Sequence, residues 1–552
     1  MARGEGLSRG ARAALCAGYA AATFLAFPFP FAGRVVDLGW LFAYVGPALL
    51  LLALQGLRPL AAAATAFGAS VAAHSLVWHW IYVVTVVYGH APVAVGVAAP
   101  VLLAVYPGLF AAVFGAAYAA LGARGLAGPF VAAALWTALY DHARSFVLSG
   151  FPWATLGYAQ HENVLLLPLA SVTGVYGLSF VSALGGAGLA ALAQGRRRAA
   201  ALAAAGVVLA HVAGFALART PEEPQPGTSL RVAVLQGNIE QGVKWSAAWR
   251  ERTLAIYAQS TRDAVAQGAR LVVWPETALP GALEAEPSLR EDLQDLAREV
   301  GTWLVVGGVG LTFGPDGRPS AFFDSAYVVA SDGEILDRYD KTHLVPFGEY
   351  VPLRDLLGIF VRSVARGIAP ADVMPGERVR SVRVAPDGGD GFPVGVAVCF
   401  ELLFPDLVRR FAADGGEMLL GITNDAWYGR TGAPYQFLAI TALRSVETGL
   451  WTARAANTGI SAFIDPAGRV RAQTPIFEQG LLVADVPRHP HPREATFYVR
   501  HGDLFAWACW LAAAALLLTN WRRTRAQPQA ARSAARSEPQ ASEESEDRTR
   551  IA

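Results

Sequence analysis

Cysteine is nearly absent from this 552-residue sequence, which contains only Cys16, Cys399 and Cys509. Cys16 and Cys509 lie in apolar runs, so the polar part of the chain holds Cys399 alone and no disulfide can staple it. Charge is scarce too, at 16% of residues with a net of +1, and no basic face interleaved with aromatics suits a nucleic acid partner. Acids almost vanish between residues 11 and 219, where Asp37, Asp141 and Glu162 are the only ones. That scarcity, with 54% hydrophobic residues overall, excludes an ordinary soluble protein along the whole length.

What is present divides the chain in two. A bilayer core about 30 Å thick needs about 20 mainly apolar helical residues. Windows of that kind cover 11–31, 38–57, 60–87, 93–121, 128–147, 165–194 and 199–218, and one more, 503–521, follows the polar territory. Residues 1–10 precede them, and 522–552, rich in Arg, Ser, Glu and Gln, read as a disordered end. Arg3, Arg9, Arg12, Arg58, Arg124, Arg196, Arg197, Arg198, Arg522 and Arg523 all fall on one side of the resulting path. The bias of positive charge toward the cytoplasm makes that side cytoplasmic and puts residues 220–500 outside. The first window also has the basic start and apolar run of a signal peptide, but further spans follow and no Ala-x-Ala site is evident. Asp141, His142 and Arg144, leading into Gly150-Phe151-Pro152-Trp153, read as a helix end reaching the membrane surface rather than as a substrate contact. His79, Trp80 and Tyr82 read as interfacial packing, and no metal-ligand spacing occurs in the apolar part.

Residues 228–490 alternate short buried strands, such as 230–235, 271–274, 303–306 and 394–398, with amphipathic helices over 247–267, 289–300 and 435–449. The pattern predicts a layered α/β domain with helices packed on sheets. Three islands place a reactive side chain at the end of an apolar strand: Glu276 after Val272-Val273-Trp274-Pro275, Lys341 in Tyr339-Asp340-Lys341-Thr342-His343, and Cys399 after Val394-Gly395-Val396-Ala397-Val398. Taken singly, each has an ordinary structural explanation. Together they supply what acyl chemistry needs: a thiol nucleophile, a carboxylate that removes its proton, and an ammonium that stabilises the oxyanion formed by attack on a carbonyl.

The three islands resemble the Glu, Lys, Cys triad of the nitrilase superfamily. With the helices in front, the apolar span behind, and Leu344-Val345-Pro346-Phe347-Gly348-Glu349-Tyr350-Val351-Pro352, the chain resembles the apolipoprotein N-acyltransferase family from about residue 11 to residue 521. Further matches are Gln236-Gly237-Asn238-Ile239, Lys244-Trp245, Asn424-Asp425-Ala426-Trp427-Tyr428-Gly429, Arg444 with Glu447, and Asn457-Thr458-Gly459. The resemblance implies a multi-span helical membrane domain joined to an αββα nitrilase-like sandwich, with Trp245, Glu349, Glu401 and Trp427 lining or supporting the site and Glu349 orienting Lys341. Phe400 departs from the tyrosine common in the family after the nucleophile, so a hydroxyl is lost there.

The resemblance further implies acyl transfer from a phospholipid, such as phosphatidylethanolamine, to the α-amino group of a diacylated apolipoprotein at the bacterial inner membrane, with no cofactor and no metal. Rival readings are a membrane-tethered amidase or esterase and a catalytically idle scaffold. Residues 347–368, with Leu353, Leu356, Leu357, Ile359, Phe360 and Val361, read either as an apolar arm dipping into lipid or as an ordinary amphipathic helix.

Overall fold

A computed structural model describes residues 7–122, 125–218, 228–242, 247–350, 373–488 and 494–536. Trp245 and most of the segment expected to form an apolar arm, residues 351–368, lie outside the described residues.

Among the described residues, five helices are long and apolar enough to cross a membrane: Pro59–Val77, Val93–Leu121, Val175–Ala193, Arg197–Leu217 and the stretch Leu504–Arg523. Gly39–Ala53 is a shorter apolar helix. Several expected windows divide in the structure. The first helix, Arg9–Leu25, stops before Phe27-Pro28-Phe29-Pro30, whose prolines lack backbone donors. Phe29–Phe31 (β1) then pairs antiparallel with Arg34–Val36 (β2). The window 60–87 becomes Pro59–Val77 followed by a π-helical turn, Val83–Tyr88. The window 128–147 becomes an α-helix, Gly128–Leu135, that widens into a π-helix over Trp136–His142. In 165–194 the long helix begins only at Val175, after Gly174 at φ +62°.

Lipid offers no hydrophobic drive for helix association, so close contact must come from small residues. Helix Pro59–Val77 buries Ala62, Ala66, Ala69 and Ala73, and helix Val93–Leu121 answers at the same spacing with Ala104, Gly108, Ala111 and Gly115. A Cβ on Gly115 would come within 2.7 Å of the Ala62 carbonyl oxygen, so the backbones touch there.

Two expectations about polar and terminal residues are corrected. Asp141, His142 and Arg144 do not reach the membrane surface; they are only 2, 2 and 1% exposed and lie inside the fold. Their charges find partners there: Arg144 donates to Asp141, and His142 contacts Asp503 across 3.3 Å. The last helix does not end near residue 521 but runs Leu504–Arg536, so the first part of the tail is helical. Ala, Arg and Gln are good helix formers even where no core is available.

The polar territory forms two six-stranded sheets. The first, in the order β14-β3-β4-β5-β6-β7, comprises Gly480–Pro487 (β14), Ser229–Gln236 (β3), Leu271–Val273 (β4), Trp303–Phe313 (β5), Pro319–Val329 (β6) and Ile335–Asp340 (β7). The second, in the order β13-β12-β11-β10-β9-β8, comprises Val470–Gln473 (β13), Ala462–Ile464 (β12), Trp451–Ala456 (β11), Met418–Thr423 (β10), Phe392–Val398 (β9) and Val382–Val384 (β8). Each sheet has a parallel centre, β3-β4-β5 and β9-β10-β11, flanked by antiparallel strands.

Side-chain alternation explains the layers. On β3, Leu230, Val232 and Val234 join the large core with Val394, Val396 and Val398, while Ala233 and Leu235 pack with Leu289, Leu293 and Leu296 of helix Pro287–Val300. Strands buried on both faces read as unbroken apolar runs, and the product is an αββα sandwich.

Candidate active site

All three reactive islands end strands of the two sheets, and two of them lie at the carboxyl ends of the parallel centres, where open α/β folds bind ligands. Glu276 follows β4 and is 7% exposed. The turn that carries it lies against β5 at Gly307, where a Cβ would come within 2.2 Å of the Pro275 carbonyl oxygen. Only glycine permits that approach.

Lys341 follows β7, its backbone N–H donating to the Asp324 carbonyl at 2.8 Å, and its side chain is fully buried. The ammonium lies 2.5 Å from Glu349 Oε1 and 3.4 Å from both Glu276 Oε1 and Asp324 Oδ2. Glu349 uses its other oxygen to accept from the Val345 N–H at 2.9 Å, which fixes its aim at Lys341. Glu276, Asp324 and Glu349 are spaced as a cation site, and Lys341 is the cation that fills it. Burial disfavours the ammonium, but the carboxylates of Glu349, Glu276 and Asp324 outweigh it and hold the lysine well above its usual pKa. Burial and mutual repulsion push Asp324 well above the carboxylate range, and burial raises Glu349 as well, each against the pull of Lys341.

Asp324 escaped the sequence reading. The signal available was an acid inside Phe322-Phe323-Asp324-Ser325-Ala326, where an apolar strand has no structural need of one.

Cys399 follows β9 at φ +46°, a left-handed conformation that a non-glycine residue adopts at a cost of about 1–3 kcal/mol. The turn continues as a 3-10 helix, Cys399–Leu403, so the thiol is thrown off the strand end. Burial pushes the thiol well above its usual pKa, the Glu276 carboxylate adds to that, and Lys341 opposes both. Burial and Glu276 thus favour the thiol over the thiolate, and Lys341 works against them.

Glu401 supports the site from behind. Its Oε2 accepts from the Val398 N–H at 2.8 Å, and Oε1 accepts from the Tyr339 hydroxyl, the Thr342 N–H and the Thr342 hydroxyl, each at 2.8 Å. One buried carboxylate thus ties the cysteine turn to the lysine strand. In Glu401→Gln an amide N–H would confront the Val398 N–H, and we expect a stability loss of about 1–3 kcal/mol. Misplacement of the cysteine turn should also change the rate at which iodoacetamide alkylates Cys399 by about tenfold. Thermal melting and the alkylation rate measure the two effects, and a variant unchanged in both would remove Glu401 from this role.

Phe400 is buried and lies 6.2 Å from Phe151, 5.2 Å from Phe404 and 5.7 Å from the His343 ring, centroid to centroid. Phe151 comes from the membrane domain. Trp80 and Trp153 of that domain also pack on Tyr428, at 5.0 and 5.7 Å. Trp80 is therefore a buried packing residue rather than an interfacial one. Trp427 is 36% exposed with its ring 6.0 Å from Tyr88.

The remaining sequence matches brace the site. Asn457, which on its own reads as a turn residue, donates to the Ile239 carbonyl at 2.7 Å and to Asn424 Oδ1 at 3.0 Å. Asp425 accepts from Arg454 at 2.9 Å. Arg444 and Glu447 reach the membrane domain, Arg444 donating to the Tyr158 hydroxyl at 3.1 Å and Glu447 accepting from the Val175 N–H at 2.8 Å.

Comparison with known proteins agrees with this architecture. Residues 231–490 match the carbon-nitrogen hydrolase family and residues 20–188 match the apolipoprotein N-acyltransferase N-terminal domain. The apolipoprotein N-acyltransferase of Geobacter metallireducens is 38% identical over 90% of this chain and 94% of its own length. That of Pseudomonas syringae pv. tomato is 33% identical over 87% and 92%. Among solved structures, an amidase from Nesterenkonia sp. aligns with 52% of this chain and 99% of its own at 23% identity and a TM-score of 0.37. The chain is a multi-pass membrane protein, and it belongs to the apolipoprotein N-acyltransferase family, acyltransferases of the nitrilase superfamily.

Proposed function

We propose that Glu276, Lys341 and Cys399 carry out a two-step transfer of a fatty acyl chain from a phospholipid to an apolipoprotein. The observation that carries this reading is the Lys341 ammonium held 3.4 Å from Glu276, with Cys399 on a left-handed turn that Glu401 ties to Thr342, the residue after Lys341.

In the first step Glu276 takes the Cys399 proton as the sulfur attacks the sn-1 ester carbonyl of a phospholipid such as phosphatidylethanolamine. The carbonyl oxygen becomes an oxyanion beside Lys341. The carbon–oxygen ester bond breaks, the proton held by Glu276 passes to the leaving oxygen, and a lysophospholipid departs from a thioester on Cys399. In the second step the α-amino group of the diacylglyceryl-cysteine at the acceptor's N-terminus attacks the thioester. Glu276 receives the amine proton and returns it to sulfur as the amide forms. One site serves both substrates in turn, which gives ping-pong kinetics.

The distribution of arginines supports a location in the bacterial inner membrane with the catalytic domain on the periplasmic side. Glu349 and Glu401 act through Lys341 and the cysteine turn, while Phe400, Trp427 and, in the undescribed part, Trp245 are proposed to line the substrate path.

Purified protein incubated with phospholipid alone should gain the mass of one long acyl chain on Cys399, and adding a diacylated lipopeptide should discharge it as the triacylated product. An enzyme that accepts only small amides, or that passes the acyl group to water with lipopeptide present, would be an amidase or esterase instead.

A further inference from the structure

The proposed acyl transfer needs an apolar path to Cys399, and a loop of the membrane domain packs an aromatic ring against Phe400, the next residue in the chain. Phe151 and Trp153 lie on residues 145–155, where Phe151 stands 6.2 Å from Phe400 and Trp153 lies 5.5 Å from Phe437 and 5.7 Å from Tyr428. This loop does not adopt its course by local preference. Leu148, Ser149 and Ala154 have φ of +52°, +74° and +61°, a region that costs L-residues conformational energy and persists only when the surroundings impose it.

Arg144 imposes it. The guanidinium, in a residue only 1% exposed, donates from Nη1 to the Trp153 carbonyl at 2.9 Å and from Nη2 to the Ala154 carbonyl at 2.8 Å. Nη2 also contacts Thr155 Oγ1 at 3.4 Å and Asp141 Oδ1 at 3.3 Å, and Asp141 Oδ2 accepts from the Leu156 N–H at 3.2 Å. The backbone of the same residue holds the other end of the loop, its carbonyl accepting from the Phe151 N–H at 2.8 Å and from the Tyr106 hydroxyl at 2.9 Å. The Val147 carbonyl lies 2.6 Å from the same hydroxyl, which shares its one proton between the two acceptors. Gly150 sits where the loop folds back, since a Cβ there would come within 2.1 Å of the Ser145 carbonyl oxygen.

A charged arginine buried in a membrane bundle is expensive and is kept where it does something specific. Its shortest two bonds go to successive carbonyls, those of Trp153 and Ala154, and Ala154 between them has the left-handed φ of +61°. A lysine could not reproduce that planar fork.

We infer that Arg144 is a positioning residue for this enzyme: working with Asp141 from inside the bundle, it fixes the loop that presents Phe151 and Trp153 to Phe400 and Tyr428, so that the membrane domain completes the acyl-chain path. This inference rests on the acyl-transfer reading above and adds to it a residue that touches neither substrate nor the reacting atoms.

The test uses the full chain in lipid nanodiscs and three readouts: alkylation of Cys399 by iodoacetamide, thioester formation from dihexanoyl phosphatidylethanolamine, and thioester formation from dipalmitoyl phosphatidylethanolamine. Arg144→Gln and Arg144→Lys should leave alkylation within about twofold of the unaltered chain while raising KM for the dipalmitoyl donor about tenfold more than for the dihexanoyl donor. Phe151→Ala should show the same chain-length bias, and combining it with Arg144→Gln should add nothing further, because both act through one wall. A dipalmitoyl KM unchanged in Arg144→Gln, or independent effects in the double variant, would overturn the inference. If the arginine variants lose alkylation as well, Tyr106→Phe, which removes only a hydroxyl bracing the same loop, decides the matter: a chain-length bias of threefold or more supports the clamp, and none removes it. Failure of the unaltered chain to form any fatty thioester would instead sink the acyl-transfer reading itself.

Discussion

Cys399→Ala is expected to abolish formation of the triacylated product, with a fall of at least about 10⁴-fold in turnover, on the scale seen when a covalent nucleophile is deleted. Among the described residues, none of the other polar groups beside the turn is free to replace the sulfur. The Glu276 and Glu349 carboxylates are engaged with Lys341, and hydroxyls close to the turn, such as Thr342, are committed to Glu401. The fold should survive, because the change deletes one atom from a small buried side chain and retains the same left-handed backbone. Melting temperature is thus the control, and the thioester mass shift and triacylated lipopeptide are the readouts. A variant that still transfers acyl chains at a tenth of the normal rate would exclude Cys399 as nucleophile.

Lys341→Met should be the next most damaging change, and it should act on both rate and stability. Loss of the oxyanion partner is expected to slow acylation of Cys399 by about 10² to 10³-fold. Removing the cation also strands three buried carboxylates, a class of defect that costs about 3–5 kcal/mol.

The pH dependence of that cost has a definite sign. Asp324 and Glu349 already have pKa values raised by burial, with Lys341 opposing the rise, so its removal raises them further. The folded variant then binds more protons than the unfolded chain between the ordinary carboxylate range and the raised values, and its stability falls as pH rises through that window. The gap in melting temperature between Lys341→Met and the unaltered chain should be smaller at pH 5 than at pH 8. A gap of equal size at both would show that the carboxylates do not depend on this ammonium.

The difference between what could be read from the sequence and what could not is physical. Glu276 and Cys399 each stand where an apolar strand stops, a pattern carried by adjacent residues and visible without coordinates, whereas Lys341 follows a strand, Ile335–Asp340, in which Asp337, Arg338 and Asp340 are charged. The membrane helices were visible as apolar runs, but their ends were not: the proline-driven stop after Leu25 and the late start at Val175 turn on single residues inside stretches that remain apolar throughout. Asp324 and Arg144 were out of reach for a different reason. Asp324 acquires its role from β7 beside it, and Arg144 from carbonyls nine and ten residues further on, which face it only after the loop folds back. Glu401 could be placed near the site by its neighbour Cys399, but its service as a tie between two strands depends on Tyr339 and Thr342, about sixty residues earlier in the chain.

The bias of Cys399 toward its thiol form has a consequence for its exposure to chemical damage. Electrophiles, peroxides and foreign disulfides attack the thiolate form of sulfur, and an ordinary free cysteine already offers a few per cent of it near pH 7. Burial and the nearby negative charge of Glu276 keep the anionic share at Cys399 below that level. The sulfur therefore reacts more slowly than a free thiol with random oxidants and electrophiles, and its full nucleophilicity waits until its proton has somewhere to go.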